Sequence, residues 1–271
     1  MTAKDLMDAG QLGPAIARLS EDLRTRPADR GARTFLFELL CFSNDFVRAE
    51  RQLVLRGDPA GAPLGGQLYR SLLAAERARA RLFAEGLRPR FVLESPPAVE
   101  LHLEALDLLR LGRPAQAREA LDRAGTPQAA LRGTAGDVAF DEFRDIDDIL
   151  APVLEVVAPA GYFWVPWEHI QHLSVSPPRN LRDLLWTPVD LATFDGQLGQ
   201  VYVPNLYPGT ATHPDDLVRL GRKTVWQDAG EGIVRGAGPK IFLAGDESFT
   251  FPELGVVQFS PLPEASMTPG S

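Results

Sequence analysis

Gly10-x-Leu12-x-x-Ala15-x-x-x-Leu19 is written three times in this chain. It returns as Asn44-x-Phe46-x-x-Ala49-x-x-x-Leu53, 34 residues on, and as Gly112-x-Pro114-x-x-Ala117-x-x-x-Leu121, 102 residues after the first. Thirty-four residues is the period of a tetratricopeptide helix pair, and 102 is three such periods. A unit of this kind cannot bury its apolar face alone. It stacks on neighbours and leaves a surface for a partner, so the frame points to binding.

The rest of the first half extends this helical reading. Leu12, Ala15, Ile16, Leu19 and Leu23 recur at helical spacing, with Pro14 in the first turn. Thr34 to Phe42 reads as an apolar helix, and Ser43-Asn44-Asp45 as a turn and cap before a helix from Phe46 to Leu55. A Gly/Pro loop follows from Gly57 to Gly66. Leu68, Leu72, Ala75, Leu82 and Phe83 then mark a long helix ending near Gly86, and Val99–Leu111 with Ala115–Ala124 make a last pair. No repeat is legible between the second and third copies of the frame, so the array is degenerate.

The composition shifts between Gly125 and Gly136. One helix is expected beyond it, from Asp145 to Val157. Short runs rich in β-branched and aromatic residues follow: Tyr162–Val165, Leu173–Val175, Val189–Phe194, Gln200–Val203, Thr224–Trp226, Ile241–Ala244 and Val256–Phe259. They predict a small, curved, mostly antiparallel sheet or barrel. Leu181–Leu185 reads as a single helical turn. The expected class is α+β: a tetratricopeptide-like helical domain over 1–126, an α/β domain over 137–263, and a flexible tail over 264–271.

Charge separates the two halves. Residues 1–126 carry 19 Lys+Arg against 17 Asp+Glu, and residues 127–271 carry 9 against 19, within a chain of net charge −8. An acidic second half argues against nucleic acid, which needs a concentrated positive face. The run Arg77, Arg79, Arg81, Arg88 and Arg90 is interrupted by Glu76 and Glu85 and reads as a solvated helix face. No signal peptide or membrane-spanning stretch is legible, so the expected location is the cytoplasm without membrane insertion. The single Cys41 lies in an apolar run and reads as a small core residue.

Chemistry is sparse. Asp141, Glu142, Asp145, Asp147 and Asp148 could hold a hard cation, or could be acidic residues at a helix N-terminus. His169 and His172 are three apart, but no Cys or third nearby His completes a zinc set. Gly230-x-Gly232 and Gly236 lead to an extended run and not a helix, so they read as a glycine turn and not a dinucleotide site. The aromatic group of Tyr162, Phe163, Trp164, Trp167, Trp186 and Tyr207 reads as core. Arg182 and Asp183, beside Trp186, are expected to pair and fix a turn. No cofactor, metal or catalytic residue is assigned.

Taken in order, several segments resemble the ImpE/TagJ family of type VI secretion accessory proteins. They are Arg33–Phe42 with Arg48–Leu53, Ala75-Glu76-Arg77 leading to Phe83-x-x-Gly86-x-x-Pro89-x-Phe91, and Asp145-x-Asp147 before Leu150-Ala151-Pro152. In the second half they are Tyr162–Pro166, Leu181–Pro188, Leu206–Gly209 and Gly221–Trp226. The resemblance implies a non-enzymatic adaptor associated with a contractile sheath, in which one class binds an N-terminal helix of the small sheath subunit and bears on sheath disassembly. A partner helix would lie in a groove of the helical array, for which Phe35, Glu38, Leu39 and Phe42 are the candidate contacts. The alternative is an enzyme or metal-binding protein with a pocket between the two halves, with the acidic cluster and His169 as first suspects.

Overall fold

The computed structural model describes residues 1–55, 65–125, 131–196 and 199–261. Most of the loop expected at Gly57 to Gly66, part of the Gly125 to Gly136 stretch and the tail at 264–271 lie outside these residues.

The repeated frame is a corner. In each copy a helix ends, one residue takes a left-handed conformation, and a second helix begins two residues later. Helices α1 (Ala3–Asp8), α3 (Arg30–Phe42) and α6 (Pro97–Arg110) are followed by α2 (Leu12–Thr25), α4 (Phe46–Leu55) and α7 (Pro114–Ala124). The left-handed residues are Gly10, Asn44 and Gly112, with φ of 74°, 59° and 69°. Gly and Asn are the residues that occupy this region at least cost.

The hydrogen bonds are equivalent in all three corners. Gly10 N–H donates to Met7 at 2.9 Å and Gln11 N–H to Leu6 at 2.9 Å. Asn44 donates to Cys41 at 3.1 Å and Asp45 to Leu40 at 2.9 Å. Gly112 donates to Leu109 at 3.0 Å and Arg113 to Leu108 at 2.9 Å. This pair of bonds is the Schellman motif, which satisfies carbonyls that the helix end leaves open. Ala15, Ala49 and Ala117 are each 0% exposed. Their small side chains fill the position where paired helices approach closely.

The place of the missing repeat is taken by α5 (Gly65–Glu85), which has no hairpin partner, and by β1 (Arg90–Phe91). β1 leaves the helices and pairs parallel with a strand of the second half, Arg90 opposite Phe163. Arg79 corrects the reading of the Arg run as a solvated face. It is 7% exposed, whereas Arg77 and Arg81 face solvent. Arg79 stands in helical phase with the buried Leu72, Ala75 and Leu82, so the helix turns it inward.

The second half is built on an open nine-stranded sheet, so the sheet alternative holds and the barrel does not. Its strands are β1, β2 (Gly133–Ala135), β3 (Val138–Phe140), β5 (Val153–Ala158), β6 (Gly161–Pro166), β7 (Ile170–Val175), β8 (Trp186–Thr193), β9 (Gln200–Pro204) and β14 (Val256–Phe259). Their order is β1-β6-β5-β9-β8-β7-β14-β2-β3, antiparallel except for β1 with β6. A smaller antiparallel sheet holds β13 (Glu247–Thr250), β12 (Ile241–Ala244) and β4 (Phe143–Asp145). A two-stranded ribbon pairs β10 (Val225–Asp228) with β11 (Val234–Ala237). A short helix, α8, spans Asp216–Arg219.

The helix expected from Asp145 to Val157 is not formed. β4 ends at Asp145, a turn follows, and Val153–Ala158 is strand β5. Alternation in this strand explains the misreading. Val153 and Val157 join the core shared with the helices, and Leu154 and Val156 join a second core on the opposite face. A strand buried on both faces reads as a continuous apolar run, which periodicity alone does not separate from a helix. The second core holds Trp167 between Phe143 and Phe242, with ring centroids 4.8 Å and 5.7 Å away. The layers are therefore helices, large sheet and small sheet, and the first apolar core draws on residues from Ala3 to Ile233.

Candidate functional site

Two excursions of the second half reach back onto the helices. In the first, Asp216 accepts from Leu12 N–H at 2.8 Å, capping α2, and Arg222 donates to Asp8 O at 2.8 Å. In the second, the ribbon turn at Gly230 lies against Pro114 at the start of α7. A Cβ on that glycine would come within 2.6 Å of the proline ring. The chain thus packs on itself at the first corner and at Pro114 beside the third, where Gly112 itself stays exposed. The second corner, at Asn44, faces an open cleft.

The cleft encloses about 490 Å³. One wall is the end of α3 and start of α4 (Phe42, Asn44, Phe46), one is α5 and α6 (Ala80, Phe83, Leu106, Leu109, Arg110), and the third is the segment 204–212 with Trp186 and Arg235. Its volume lies in the range of roughly 300–1,000 Å³ found for ordinary ligand sites. It admits side chains from a turn or two of a partner.

Behind the cleft lies a buried ionic network. Arg79 on α5 makes a two-pronged pair with Glu155 of β5, Nε and Nη2 each 2.7 Å from a carboxylate oxygen, and Nη2 also donates to Leu206 O at 2.8 Å. Lys240 Nζ stands 3.1 Å from both Glu155 and Asp145. Tyr162 OH donates to Glu155 at 2.5 Å, and Tyr207 OH to Asp145 at 2.6 Å. Glu155, Asp145 and Asp147 are 0% exposed and Lys240 1%. Burial alone would raise the Glu155 carboxyl, but the Arg79 and Lys240 charges outweigh it and hold the pKa at about 2. Burial pushes Asp145 upward, and Lys240 only partly offsets this.

The acidic cluster is neither at a helix N-terminus nor open to a cation. Asp145 accepts from Asp147 N–H, Tyr207 and Lys240. Asp147 accepts from Ile149 N–H and Leu150 N–H on one oxygen, and from Arg235 Nε (2.8 Å) and Gly236 N–H (3.0 Å) on the other. Asp148 pairs with Arg144 at 2.8 Å and accepts from Val234 N–H at 2.7 Å. Asp141 and Glu142 are exposed. Each buried carboxylate oxygen in the cluster already accepts from a donor, so these acids tie the turn after β4 to β11.

Of the candidate contacts, Phe42 lines the cleft. Leu39 is 0% exposed and Phe42 1%, both within the packed inner face of α3. Phe35 and Glu38 are half-buried on α3. Burial raises the Glu38 carboxyl, and Arg182 opposes that rise. Arg182 and Asp183 meet at 3.4 Å, and Arg182 lies 5.3 Å from the Tyr69 ring centroid. His169 lies apart from the cleft, between β6 and β7. Cys41 lines the cleft, but burial pushes its thiol far up, and Glu76 and Glu38 push the same way, so it stays protonated.

Arg79, Glu155, Lys240, Tyr207 and Arg235 do not stand out in the sequence as site residues. Arg79 carries a usable signal in its phase with Leu72, Ala75 and Leu82. Glu155 within an apolar run was a second clue, since a buried acid requires a partner, but nothing local named that partner.

Comparison with known proteins agrees along the chain. The model of the ImpE protein family matches residues 137–258. The type VI secretion system accessory component TagJ of Pseudomonas aeruginosa is 32% identical over 263 residues, covering 96% of this chain and 92% of that protein. An X-ray crystal structure of a Vibrio parahaemolyticus protein superposes with a TM-score of 0.85 at 28% identity, covering 95% of this chain and 97% of that one.

Proposed function

The chain belongs to the ImpE family, and from that premise we propose that it is a non-enzymatic accessory component of a type VI secretion system. It binds a sheath component through the cleft at the second helix-pair corner and influences sheath handling or disassembly. The partner segment is an N-terminal helix of the small sheath subunit, working in the cytoplasm. Among the described residues no helix is long and apolar enough to cross a membrane. The observation that carries the reading is the cleft itself: excursions of the chain lie against the helices at the first corner and beside the third, whereas the second borders a cleft whose accessible apolar walls are Ala80, Phe83, Ala84 and Leu109. A helix laid in a groove presents apolar anchors at i, i+3 and i+4, which such walls receive.

The test is a pull-down with the small sheath subunit, intact or lacking its first helix. Binding is expected only with the intact subunit. Ala80→Trp, at an exposed position on the cleft wall, fills the cleft without touching the core and is expected to abolish capture. Equal capture of both forms of the subunit would sink the reading.

A further inference from the structure

Arg235 differs from every other charged group around the cleft. The carboxylates behind it are fully buried, and Arg79 spends its guanidinium on Glu155, Leu206 O and Glu76. Arg235 gives only Nε to Asp147, at 2.8 Å. Among the described residues its two terminal Nη groups make no hydrogen bond within the protein. They belong to a side chain that is 18% exposed and lines the cleft.

The group is held in place from two sides. Asp147, its anchor, is fixed by three backbone N–H groups, and the guanidinium lies 5.7 Å from the Phe83 ring centroid. A guanidinium so fixed presents two parallel donors, the geometry that receives a carboxylate. The charges lining the cleft are Arg79, Arg110 and Arg235 against Glu76 alone, in a chain of net charge −8. Arg79 and Arg110 are committed to Glu155 and Asp107, so Arg235 is the lining arginine whose terminal nitrogens are left to meet an incoming acid.

We propose that the polypeptide segment docking in this cleft carries an Asp or Glu whose carboxylate is received by the Nη groups of Arg235, beside apolar side chains that pack on Phe83 and Leu109. This rests on the cleft being the partner site. Arg235 then sets register as well as affinity, because an apolar helix alone could slide by a turn in the cleft.

Fluorescence anisotropy with the full chain and a labelled peptide of the small sheath subunit's first helix tests this. Arg235→Gln is expected to weaken binding tenfold or more, and Arg235→Lys by less, since an ammonium keeps the charge and loses the fork. One Asp→Asn or Glu→Gln change in the peptide is expected to weaken binding equally to the native chain and to cost nothing further against Arg235→Gln. If Arg235→Gln binds within twofold of the native chain, or no acidic position couples to it, the inference is overturned. If Arg235→Gln does not fold, Arg235→Lys and the peptide series on the native chain decide, and a series with no sensitive acid overturns it. The two readings fail separately. No peptide binding by the native chain removes both, whereas binding blocked by Ala80→Trp but indifferent to Arg235 removes only the acidic anchor.

Discussion

At Gly10, Asn44 and Gly112 the chain closes a helix with hydrogen bonds that span three and five residues. At Arg79–Glu155 and Lys240–Asp145 it joins residues 76 and 95 apart. The corners are local, repeated and partly exposed. The junction is long-range, single and buried. A corner can be weakened by one residue and still close, because its bonds are between backbone groups close in sequence. The junction concentrates its risk, since removing one member strands a charge where water cannot reach it.

The largest expected effect breaks the junction. Arg79→Met removes one of the two cations at Glu155 and leaves it with the Tyr162 hydroxyl and Lys240, which also serves Asp145. Urea unfolding is expected to show a loss of about 3–5 kcal/mol. Arg79→Met with Glu155→Met is expected to recover much of it, because an apolar pair of similar volume needs no compensation. A loss under about 1 kcal/mol for the single variant, against that range for buried pairs, would mean that apolar packing across α5 and β6 carries the junction instead.

The same contrast decides what was legible in the sequence. The corners left their signature because a left-handed residue, a helix start and a buried Ala sit at fixed offsets. Seven strand segments were legible for the same local reason, from Tyr162 to Phe259. β5 was hidden because it is buried on both faces. β2, β3 and β4 were hidden because three residues carry no period. The site was hidden more deeply. Phe42 emerged from the apolar run of α3, but Arg235 and Asp147 are 88 residues apart, and only the fold brings them together.

Next in size is the response to pH where α6 meets the acidic turn. His102 Nδ1 bonds to Asp148 O at 2.8 Å, and burial lowers its pKa to about 4, with Arg144 pushing the same way and Asp148 opposing. The unfolded chain takes up a proton near pH 6.5 that the folded chain refuses until about 4. Stability from this residue is therefore complete above pH 6.5 and falls as pH drops through that window, by roughly 3 kcal/mol in all. Glu155 has its own window, with stability present above its ordinary value of 4.5 and lost as pH falls towards 2. Urea midpoints between pH 7.5 and 4.5 for the native chain and His102→Asn separate the two. The variant is expected to flatten the curve above pH 4.5, and an unchanged slope would assign it to other groups.

The smallest effects test whether a corner is as local as it looks, and two glycines frame the experiment. Gly112 has φ of 69° and no heavy atom within 4 Å of where a Cβ would stand. Gly112→Ala therefore reports the left-handed backbone alone, with an expected loss of about 1–2 kcal/mol. Gly112→Asn should lose less, as Asn44 occupies the equivalent place in the second corner. Gly13 is equally uncrowded but lies inside α2 with an ordinary helical backbone. There the same change removes unfolded-state freedom without strain, and thermal unfolding should show a gain of roughly 0.4–1 kcal/mol. Opposite signs for one substitution at two open sites would place the difference in φ and not in packing. Equal signs would mean that the corner is set by contacts beyond its own hydrogen bonds.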